Sequence, residues 1–402
     1  MKNKTIILLL FYTGLLLTAY IVVLGGCSSG SKQTPVPTIS RSPSPTHTAA
    51  PSLSPSPTIS PARTYSPISP SPSPVPTPRW TDISGNISPS REIYDQGYVQ
   101  VKFISTAEGW LTTRDNKILH TTDGGDSWEV QSDFSAYFSD SGSLWGIQFI
   151  GNYGWLIARD GSGFDPLWTT DDYGRHWTRN TNIYGGCYTA YFIDSLEGWV
   201  TGDKTIDYIQ HTTDGGATWS SQEVEGTPTD DAYFQINSMC FTGNDGWMVA
   251  RVGTATPEPI MLHTADMGLT MWRTVEVSTA TRPFPTNLMY SIAFSDQDHG
   301  YAVGAFGLIL MTTDGGHTWT NISNSVVDAL AGIAIIDTHE AWIGGGVDKK
   351  ILHVIDGNIT TVRVPTSSID SINFVDSTHG WAVGYYNNYG IYLPKILKYC
   401  LP

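Results

Sequence analysis

Charged residues are scarce in this chain: they make up 15% of its 402 residues, and none of the first 78 is acidic. Low charge combined with 40 glycines, 14 tryptophans and 20 tyrosines favours a turn-rich all-β protein over a helical one. The sequence also lacks a P-loop, a dinucleotide-binding fingerprint and a nucleophile elbow, which argues against those enzyme classes. We therefore expect neither a cofactor nor catalytic residues.

The acidic side chains are all confined to residues 79–402. Residues 1–78 contain five basic side chains, so the formal net charge of −15 for the chain becomes −20 for the remainder. A body this acidic repels phosphate groups, which argues against nucleic acid as a partner. It also argues against a body that lies flat on an anionic membrane.

The first 26 residues resemble a lipoprotein signal peptide. Lys2 and Lys4 precede an apolar run over 6–24, and two glycines stand directly before Cys27. This arrangement resembles a bacterial lipobox, in which the cysteine is lipidated and becomes the mature N-terminus. The alternative is an uncleaved transmembrane anchor. Both interpretations place the rest of the chain outside the cytoplasmic membrane, and the first one makes it a lipid-anchored protein.

Residues 28–78 are dominated by proline, serine and threonine. Such a segment buries too little apolar surface to offset its ordering entropy, and its prolines favour an extended conformation. We therefore predict that residues 27–78 are a lipidated cysteine followed by a spacer, and that 79–402 form the folded body. Cys187, Cys240 and Cys400 would remain after lipidation, and the sequence leaves their pairing open.

Two phrases recur through the predicted body. One reads like FIDSLEGW (192–199) and occurs seven times, and the other reads like IQHTTDGGATW (209–219). The aromatic residues that close the first phrase stand 39 to 54 residues apart, a period that suits a four-stranded propeller blade. These residues are Trp110, Trp155, Trp199, Trp247, Tyr301, Trp342 and Trp381.

Each repeat divides into four predicted strands, A to D. Strand A alternates apolar residues, strand B starts at the Gly-Trp pair, strand C is the ILHTT-like run, and strand D follows the second tryptophan. The seventh repeat stops after strand C, whereas RWTDIS (79–84) matches the strand D sequence TWTNIS (318–323). We therefore predict an all-β, seven-bladed β-propeller whose last blade is closed by the N-terminal strand 79–84, paired with 395–400.

The turns between strands C and D resemble the Asp box of bacterial neuraminidase repeats. Glycine supplies positive φ in such a turn, and the aspartate carboxylate accepts backbone N–H groups, so a structural turn is favoured over a calcium site. The fourth turn holds one extra residue, and the sixth repeat keeps only Asp356-Gly357. The predicted Asp-box residues are Asp123, Trp128, Asp172, Trp177, Asp214, Trp219, Asp266, Trp272, Asp314 and Trp319.

The combination of GWAVG (380–384) with the Asp-box phrases resembles the photosystem II assembly and stability factor family, over the whole of 79–402. The resemblance implies a seven-bladed propeller and a non-catalytic, protein-binding or assembly role. Members with the photosynthetic role are similar in bearing an arginine-rich surface that meets a reaction-centre precursor. The arginines of this sequence look scattered, so no binding residue is carried over.

A carbohydrate-binding or glycoside-hydrolase-like propeller is the alternative, because sialidases and xyloglucanase-like enzymes share the Asp box. The N-terminal Arg-Ile-Pro motif of sialidases is absent, and a xyloglucanase-like cleft usually needs two propellers. A pair of facing carboxylates stays open, since aspartates are abundant. His299, His339 and His379 occupy related A–B loops, but Glu108 and Glu197 stand in equivalent places, so we expect solvated turns and no metal site.

The D–A and B–C loops vary most in length and composition, while the A–B loops and Asp-box turns share the opposite face. Variable loops on a fixed scaffold are where binding usually resides, and aromatic rings beside carboxylates suit a polar peptide or a stacked glycan. The predicted binding face carries Tyr94, Tyr137, Phe138, Tyr233, Phe284, Tyr385, Tyr386 and Tyr389. Its partner is an unidentified protein or glycan, and we expect a monomer.

Overall fold

The computed structural model describes twelve segments of the chain. They are residues 79–87, 98–138, 142–159, 166–183, 186–202, 209–225, 234–252, 258–275, 288–323, 328–346, 349–388 and 391–400. The predicted signal peptide, Cys27 and spacer lie outside these residues. Within the twelve segments, no helix is long and apolar enough to cross a membrane.

The described segments contain 28 strands and two short 3-10 helices, Ser84–Asn86 and Ala305–Gly307. In chain order the strands are β1 (Arg79–Asp82), β2 (Tyr98–Phe103), β3 (Gly109–Thr113), β4 (Lys117–Thr121), β5 (Glu129–Asp133), β6 (Ser143–Ile150), β7 (Tyr153–Arg159), β8 (Leu167–Thr170), β9 (Thr178–Asn180), β10 (Thr189–Phe192), β11 (Gly198–Thr201), β12 (Ile209–Thr212), β13 (Ser220–Gln222), β14 (Phe234–Thr242), β15 (Asp245–Val252), β16 (Glu258–Thr264), β17 (Arg273–Val275), β18 (Met289–Phe294), β19 (Gly300–Gly304), β20 (Ile309–Thr312), β21 (Thr320–Asn321), β22 (Leu330–Ile335), β23 (Glu340–Gly345), β24 (Lys350–Ile355), β25 (Asn358–Arg363), β26 (Ser368–Asp376), β27 (His379–Asn388) and β28 (Ile391–Cys400).

These strands form seven four-stranded antiparallel sheets, one for each predicted blade. Blades 1 to 6 each consist of four consecutive strands, from β2–β5 to β22–β25. Blade 7 has the order β26-β27-β28-β1, so its outer strand comes from the other end of the described chain. The prediction of a seven-bladed all-β propeller is confirmed.

The closing strand β1 pairs antiparallel with β28, and Trp80 stands opposite Tyr399. The indole ring of Trp80 is 5% exposed and contacts the rings of Trp342 and Phe374 edge-on, with centroids 5.8 and 5.7 Å apart. The ladder extends one step further, because the Ile83 N–H donates to the Ile396 carbonyl at 2.9 Å. The predicted closure by an N-terminal strand is therefore confirmed.

The repeated aromatic residues form the contacts between blades. At six junctions the phenyl ring near the end of strand A stacks on the indole ring of strand B in the preceding blade, as in Phe149 on Trp110 and Phe103 on Trp381, with centroids 3.7 and 3.5 Å apart. The second pair joins blade 1 to blade 7 and so completes the ring. Burial of both rings removes a large apolar area from water at these six junctions, whereas Tyr301 and Ile335 hold the two positions between blades 5 and 6.

Side chains of the preceding blade satisfy the exposed edges of the inner strands. The Phe103 N–H donates to Asn373 Oδ1 at 2.8 Å, and the Phe192 N–H donates to Gln148 Oε1 at 3.0 Å. Without these bonds, the N–H groups at the free edge of the innermost strand would be buried without an acceptor, which costs folding free energy. The inner polar residues of the repeat therefore hold the blades together.

Candidate functional site

The Asp-box turns occupy one face of the propeller, together with the A–B loops. In blade 3 the Asp214 carboxylate accepts hydrogen bonds from the Thr212 hydroxyl, the Thr218 N–H and the Thr218 hydroxyl, at 2.8, 2.8 and 2.6 Å. The Thr218 hydroxyl and N–H, together with Thr212, lower the pKa of Asp214 to about 2. The carboxylate is thus fixed and ionised, which makes it a turn-forming group.

The same set of hydrogen bonds is present at the other four predicted Asp boxes. Asp123, Asp266 and Asp314 accept from a threonine before them and from a serine or threonine after them, while His176 takes the second place at Asp172. The associated tryptophans Trp128, Trp272 and Trp319 are buried, and Trp177 and Trp219 are partly buried. In the degenerate sixth repeat, Asp356 and Gly357 form a two-residue hairpin with both φ angles positive.

Four blades share a histidine–carboxylate pair on this face that sequence reasoning missed. In blade 6 the His353 ring lies flat on Trp342 at 3.9 Å, and its Nε2 is 2.8 Å from Glu340 Oε1. The other three pairs are His120–Glu108, His211–Glu197 and His263–Asp245, at 3.0 to 3.3 Å. Each carboxylate residue stands directly before a Gly-Trp or Ala-Trp pair. Its hydrogen bond to the histidine holds the imidazole ring against the indole ring of that tryptophan.

The three histidines of the A–B loops each contact a carboxylate of their own blade. His299 pairs with Asp296 at 3.0 Å, His379 with Asp376 at 3.0 Å, and His339 with Asp356 at 2.7 Å. Among the described residues, no three histidine, cysteine, aspartate or glutamate side chains are grouped closely enough to hold a metal ion. Cys187 and Cys240 are both fully buried.

The B–C and D–A connections form the opposite face, which we call the variable face. Of the predicted binding residues, Tyr137, Phe138, Tyr385 and Tyr386 are described there, whereas Tyr94, Tyr233, Phe284 and Tyr389 lie outside the described residues. Tyr137 is 66% exposed and meets Trp168 edge-on at 5.3 Å. Phe138 is half-buried against Phe134, and the Lys349 ammonium lies 5.6 Å from the Tyr386 ring. Only Tyr137 among these four is a largely free ring surface.

Three arginines that look scattered along the sequence share one position of the repeat. Arg114, Arg159 and Arg251 each stand four residues after the tryptophan of strand B, at the end of that strand on the variable face. Arg159 lies over the Trp145 ring at 5.0 Å, and Arg251 donates to Gln235 Oε1 at 2.7 Å. Comparison of the repeats at this offset would have revealed the group.

Arg114 forms an ion pair across the junction of blades 7 and 1. Its guanidinium is 3.6 Å from Asp370 Oδ2, and the Asp370 side chain is 9% exposed. Burial raises the pKa of Asp370 to about 6, although Arg114 and Ser368 oppose the shift. The carboxylate is therefore mainly ionised at neutral pH and keeps the 43%-exposed Arg114 at the rim of the variable face.

A strained aromatic residue on the variable face was also missed. Phe306 lies in the B–C turn of blade 5 with φ 54° and ψ 36°, and its side chain is 71% exposed. A bulky residue in the left-handed region is uncommon and costs energy, and such strain is found most often at functional sites. Its sequence signal was Ala-Phe-Gly at a turn, where glycine or asparagine would be ordinary.

The architecture and the turns define the class of this molecule: it is a seven-bladed propeller with Asp-box repeats. The chain belongs to the photosynthesis system II assembly factor YCF48 family, whose model matches residues 92–183, 180–288 and 269–368. The predicted family resemblance is thereby confirmed.

Individual relatives agree with this assignment. The chain is 23% identical to the photosystem II assembly lipoprotein Ycf48 of Synechococcus sp. (strain CC9902) over 301 residues, which cover 71% of this chain and 82% of that protein. It is 28% identical to the chloroplastic photosystem II stability/assembly factor HCF136 of Oryza sativa subsp. japonica over 136 residues, 34% of this chain and 30% of that protein. The chain thus spans less than a third of the chloroplast relative.

A solved structure of YCF48 bound to D1 peptide has the same fold. It superposes with a TM-score of 0.56 at 18% identity, covering 81% of this chain and 97% of that one. At this identity the likeness shows the propeller fold alone.

Proposed function

We propose that this protein is a non-catalytic assembly or protein-binding scaffold that captures an extended segment of a partner protein on its variable face. The observation that carries the proposal is the combination of exposed Tyr137, strained and exposed Phe306, and the 43%-exposed Arg114 on that face. Exposed rings and arginines are the side chains most often responsible for binding energy at protein interfaces.

The nature of the relatives supports a polypeptide ligand. Members of the family are assembly factors, and one of them, YCF48, has been solved with a D1 peptide bound. Arg114 at the rim would favour a carboxylate-bearing segment, since guanidinium groups pair well with carboxylates. A D1 peptide is therefore the first probe to titrate against this chain.

The test compares variants of the two faces in capture experiments on the full chain. We expect Tyr137→Ala, Phe306→Ala and Tyr386→Ala to weaken binding of the D1 peptide, or of a defined polypeptide captured from cell envelopes, while the melting temperature changes little. Leu269→Ala is the matched control, because Leu269 is 73% exposed in an Asp-box turn on the other face. Binding lost only in Leu269→Ala would show that the wrong face was chosen.

We also propose that Cys27 is lipidated and holds the propeller outside the cytoplasmic membrane. Support comes from the lipobox-like residues before Cys27 and from the relative named as an assembly lipoprotein. Labelling with a fatty acid analogue, followed by membrane fractionation, tests this. We expect Cys27→Ser to lose the label and to be released or mislocalised. A variant that stays membrane-bound with residues 1–26 intact would support the uncleaved anchor instead.

A further inference from the structure

One position of the repeat is occupied differently in blade 2 than in every other blade. The residue of strand C that directly precedes the Asp-box threonine, or its equivalent, is long in six blades: His120, His211, His263, Met311, His353 and Lys398. In blade 2 it is Thr169, opposite Trp155. Threonine lacks the imidazole ring that lies on the neighbouring indole in four of the other blades.

The partner of that position has changed as well. Where strand C supplies histidine, the residue two before the repeat tryptophan is Glu108, Glu197, Asp245 or Glu340, and it binds the imidazole. Blade 2 has Tyr153 there, with 40% of its side chain exposed. Both members of the ring–carboxylate pair are thus missing together from this blade.

A cleft of about 430 Å³ opens at this place, between blades 2 and 3 on the Asp-box face. Its lining includes Tyr153, Trp155, Thr169, Asp171 and Leu196. The volume lies in the usual range of sites for small ligands, roughly 300–1,000 Å³. Trp155 is only 2% exposed, so the ring surface offered to a ligand comes mainly from Tyr153, and Leu196, 57% exposed, forms the facing apolar wall.

The charges around the cleft favour a cation. Asp171 and Asp214 both border it, but the Asp214 carboxylate already accepts hydrogen bonds within its turn. No group in the described part of the chain donates a hydrogen bond to the Asp171 carboxylate, which is exposed at the rim. His176, also in the lining, is bound to Asp172 at 2.6 Å. A planar cation could contact Tyr153 and pair with Asp171.

We propose that this cleft is a side-chain binding site that takes the guanidinium of an arginine from a partner polypeptide. A guanidinium is planar, stays charged at all physiological pH values, stacks on aromatic rings and pairs with carboxylates. It would lie beside Thr169, at the position where four other blades carry a histidine that binds a carboxylate. The site lies on the opposite face from the proposed variable-face interface and does not depend on it.

The test titrates the full chain with the tripeptide Gly-Arg-Gly and with its neutral isostere Gly-citrulline-Gly, followed by NMR or calorimetry. We expect saturable binding of the arginine peptide and at least tenfold weaker binding of the citrulline peptide. The double variant Tyr153→Glu/Thr169→His restores the pair found in four other blades and should abolish binding while the melting temperature is kept or raised. Asp171→Asn should weaken binding about as much as replacement of arginine by citrulline.

Leu269→Ala, on the same face but in blade 4, serves as the control and should bind Gly-Arg-Gly like the unaltered chain. The proposal is overturned if the citrulline peptide binds equally well, which would mean a neutral occupant such as a glycan or an uncharged ring. It is also overturned if the double variant folds and still binds, or if Gly-Arg-Gly shows no saturable binding. None of these results bears on D1-peptide capture by the variable face.

Discussion

At the scale of single residues, the Asp-box aspartates stabilise their turns through charge as well as shape. The folded pKa of Asp214 is about 2, well below the usual value of about 3.9 for an unfolded chain. A carboxylate with a lowered folded pKa contributes stability that is fully present above the unfolded value and is lost as the pH falls through the folded value. The turn therefore weakens between about pH 4 and pH 2.

We expect Asp214→Asn to lower the urea midpoint of unfolding at pH 7. We also expect the difference in urea midpoint between the variant and the unaltered chain to become smaller as the pH approaches 2. Asn can accept a hydrogen bond but carries no charge, so the narrowing isolates the ionic part. Asp171→Asn, in the neighbouring cleft, is the control, and it should leave the urea midpoint unchanged both at pH 7 and near pH 2. A gap of constant size at both pH values would assign the effect to shape alone.

The strain at Phe306 leads to a second expectation. Asparagine tolerates the left-handed region, so Phe306→Asn should raise the free energy of unfolding by about 0.5–1 kcal/mol. Phe306→Leu keeps the strained backbone and should give no such gain. Urea unfolding of both variants checks this, and equal stabilities would mean that the turn holds no strain. Both variants should bind a variable-face partner more weakly.

Residue-scale features were the hardest to predict from the sequence, for a definite reason. The four histidine–carboxylate pairs join side chains 12 to 18 positions apart, so no local motif contains both members. Aligning the repeats shows that an acid before the Gly-Trp or Ala-Trp pair is always accompanied by histidine in strand C. The position shared by Arg114, Arg159 and Arg251 is visible only in the same alignment.

At the scale of single strands, β1 is the element on which closure depends. Trp80 packs between Trp342, Phe374 and Tyr399, so Trp80→Ala should cost about 3–5 kcal/mol through a buried cavity. Arg79→Ala, on the exposed side of the same strand, should cost less than about 0.5 kcal/mol. Equal losses would argue that β1 merely lies on the surface of blade 7.

Two truncations test the contribution of β1 to thermal stability without a point mutation. Deletion of 28–78 should leave thermal unfolding of the propeller unchanged, whereas deletion of 28–84 should lower the melting temperature, because β28 loses its partner and the Trp80 pocket is exposed. Calorimetry distinguishes them. Identical melting temperatures for the two truncations would contradict closure by β1.

Strand identity followed from the sequence, but the shape of strand A did not. The alternation of apolar residues predicted all seven inner strands, and the aromatic ends predicted their junctions. Six of these strands also contain a bulge four residues before the residue that ends the apolar alternation, which is Phe103, Phe149, Phe241, Phe294, Ile335 or Phe374. The bulged residues share no chemistry, being Val99, Trp145, Asn237, Tyr290, Ala331 and Asp370, so no residue type signals the irregularity.

At the scale of the whole molecule, the two faces differ in what the repeat permits. Five Asp-box turns satisfy the same set of hydrogen bonds, so that face is more regular, and blade 2 departs from it where Tyr153 and Thr169 replace the histidine–carboxylate pair. The variable face has no such constraint, and it carries the exposed Tyr137 and Phe306. Sequence reasoning found this division from loop lengths, yet four of its eight proposed residues lie outside the described structure.

The last blade is closed by hydrogen bonds between β28 and β1, which are not consecutive in the chain. In this ladder Arg79 stands directly opposite Cys400. Joining these two residues by a short Asp-Gly turn would give blade 7 the same C–D connection as blade 6. New ends can be placed between β5 and β6, since loops tolerate such openings. We expect this circular permutant, without residues 1–78, to keep the near-ultraviolet circular dichroism of the packed tryptophans and to unfold in one cooperative transition.

The permutant also changes what β1 contributes. Once β28 and β1 are adjacent in the chain, forming blade 7 no longer requires closing a loop of the whole body, which reduces the entropy cost of that contact. Trp80→Ala should still destabilise the permutant by about 3–5 kcal/mol, because the cavity is the same. A protease site inserted in the new Asp-Gly turn allows this join to be cut. The cut permutant consists of two fragments, one with β1–β5 and one with β6–β28, and its stability should equal that of the same two fragments expressed separately and mixed. The permutant could also fail to fold while the two separate fragments assemble. That outcome would show that ring closure depends on the order in which strands join during folding, and not on the final β1–β28 pairing.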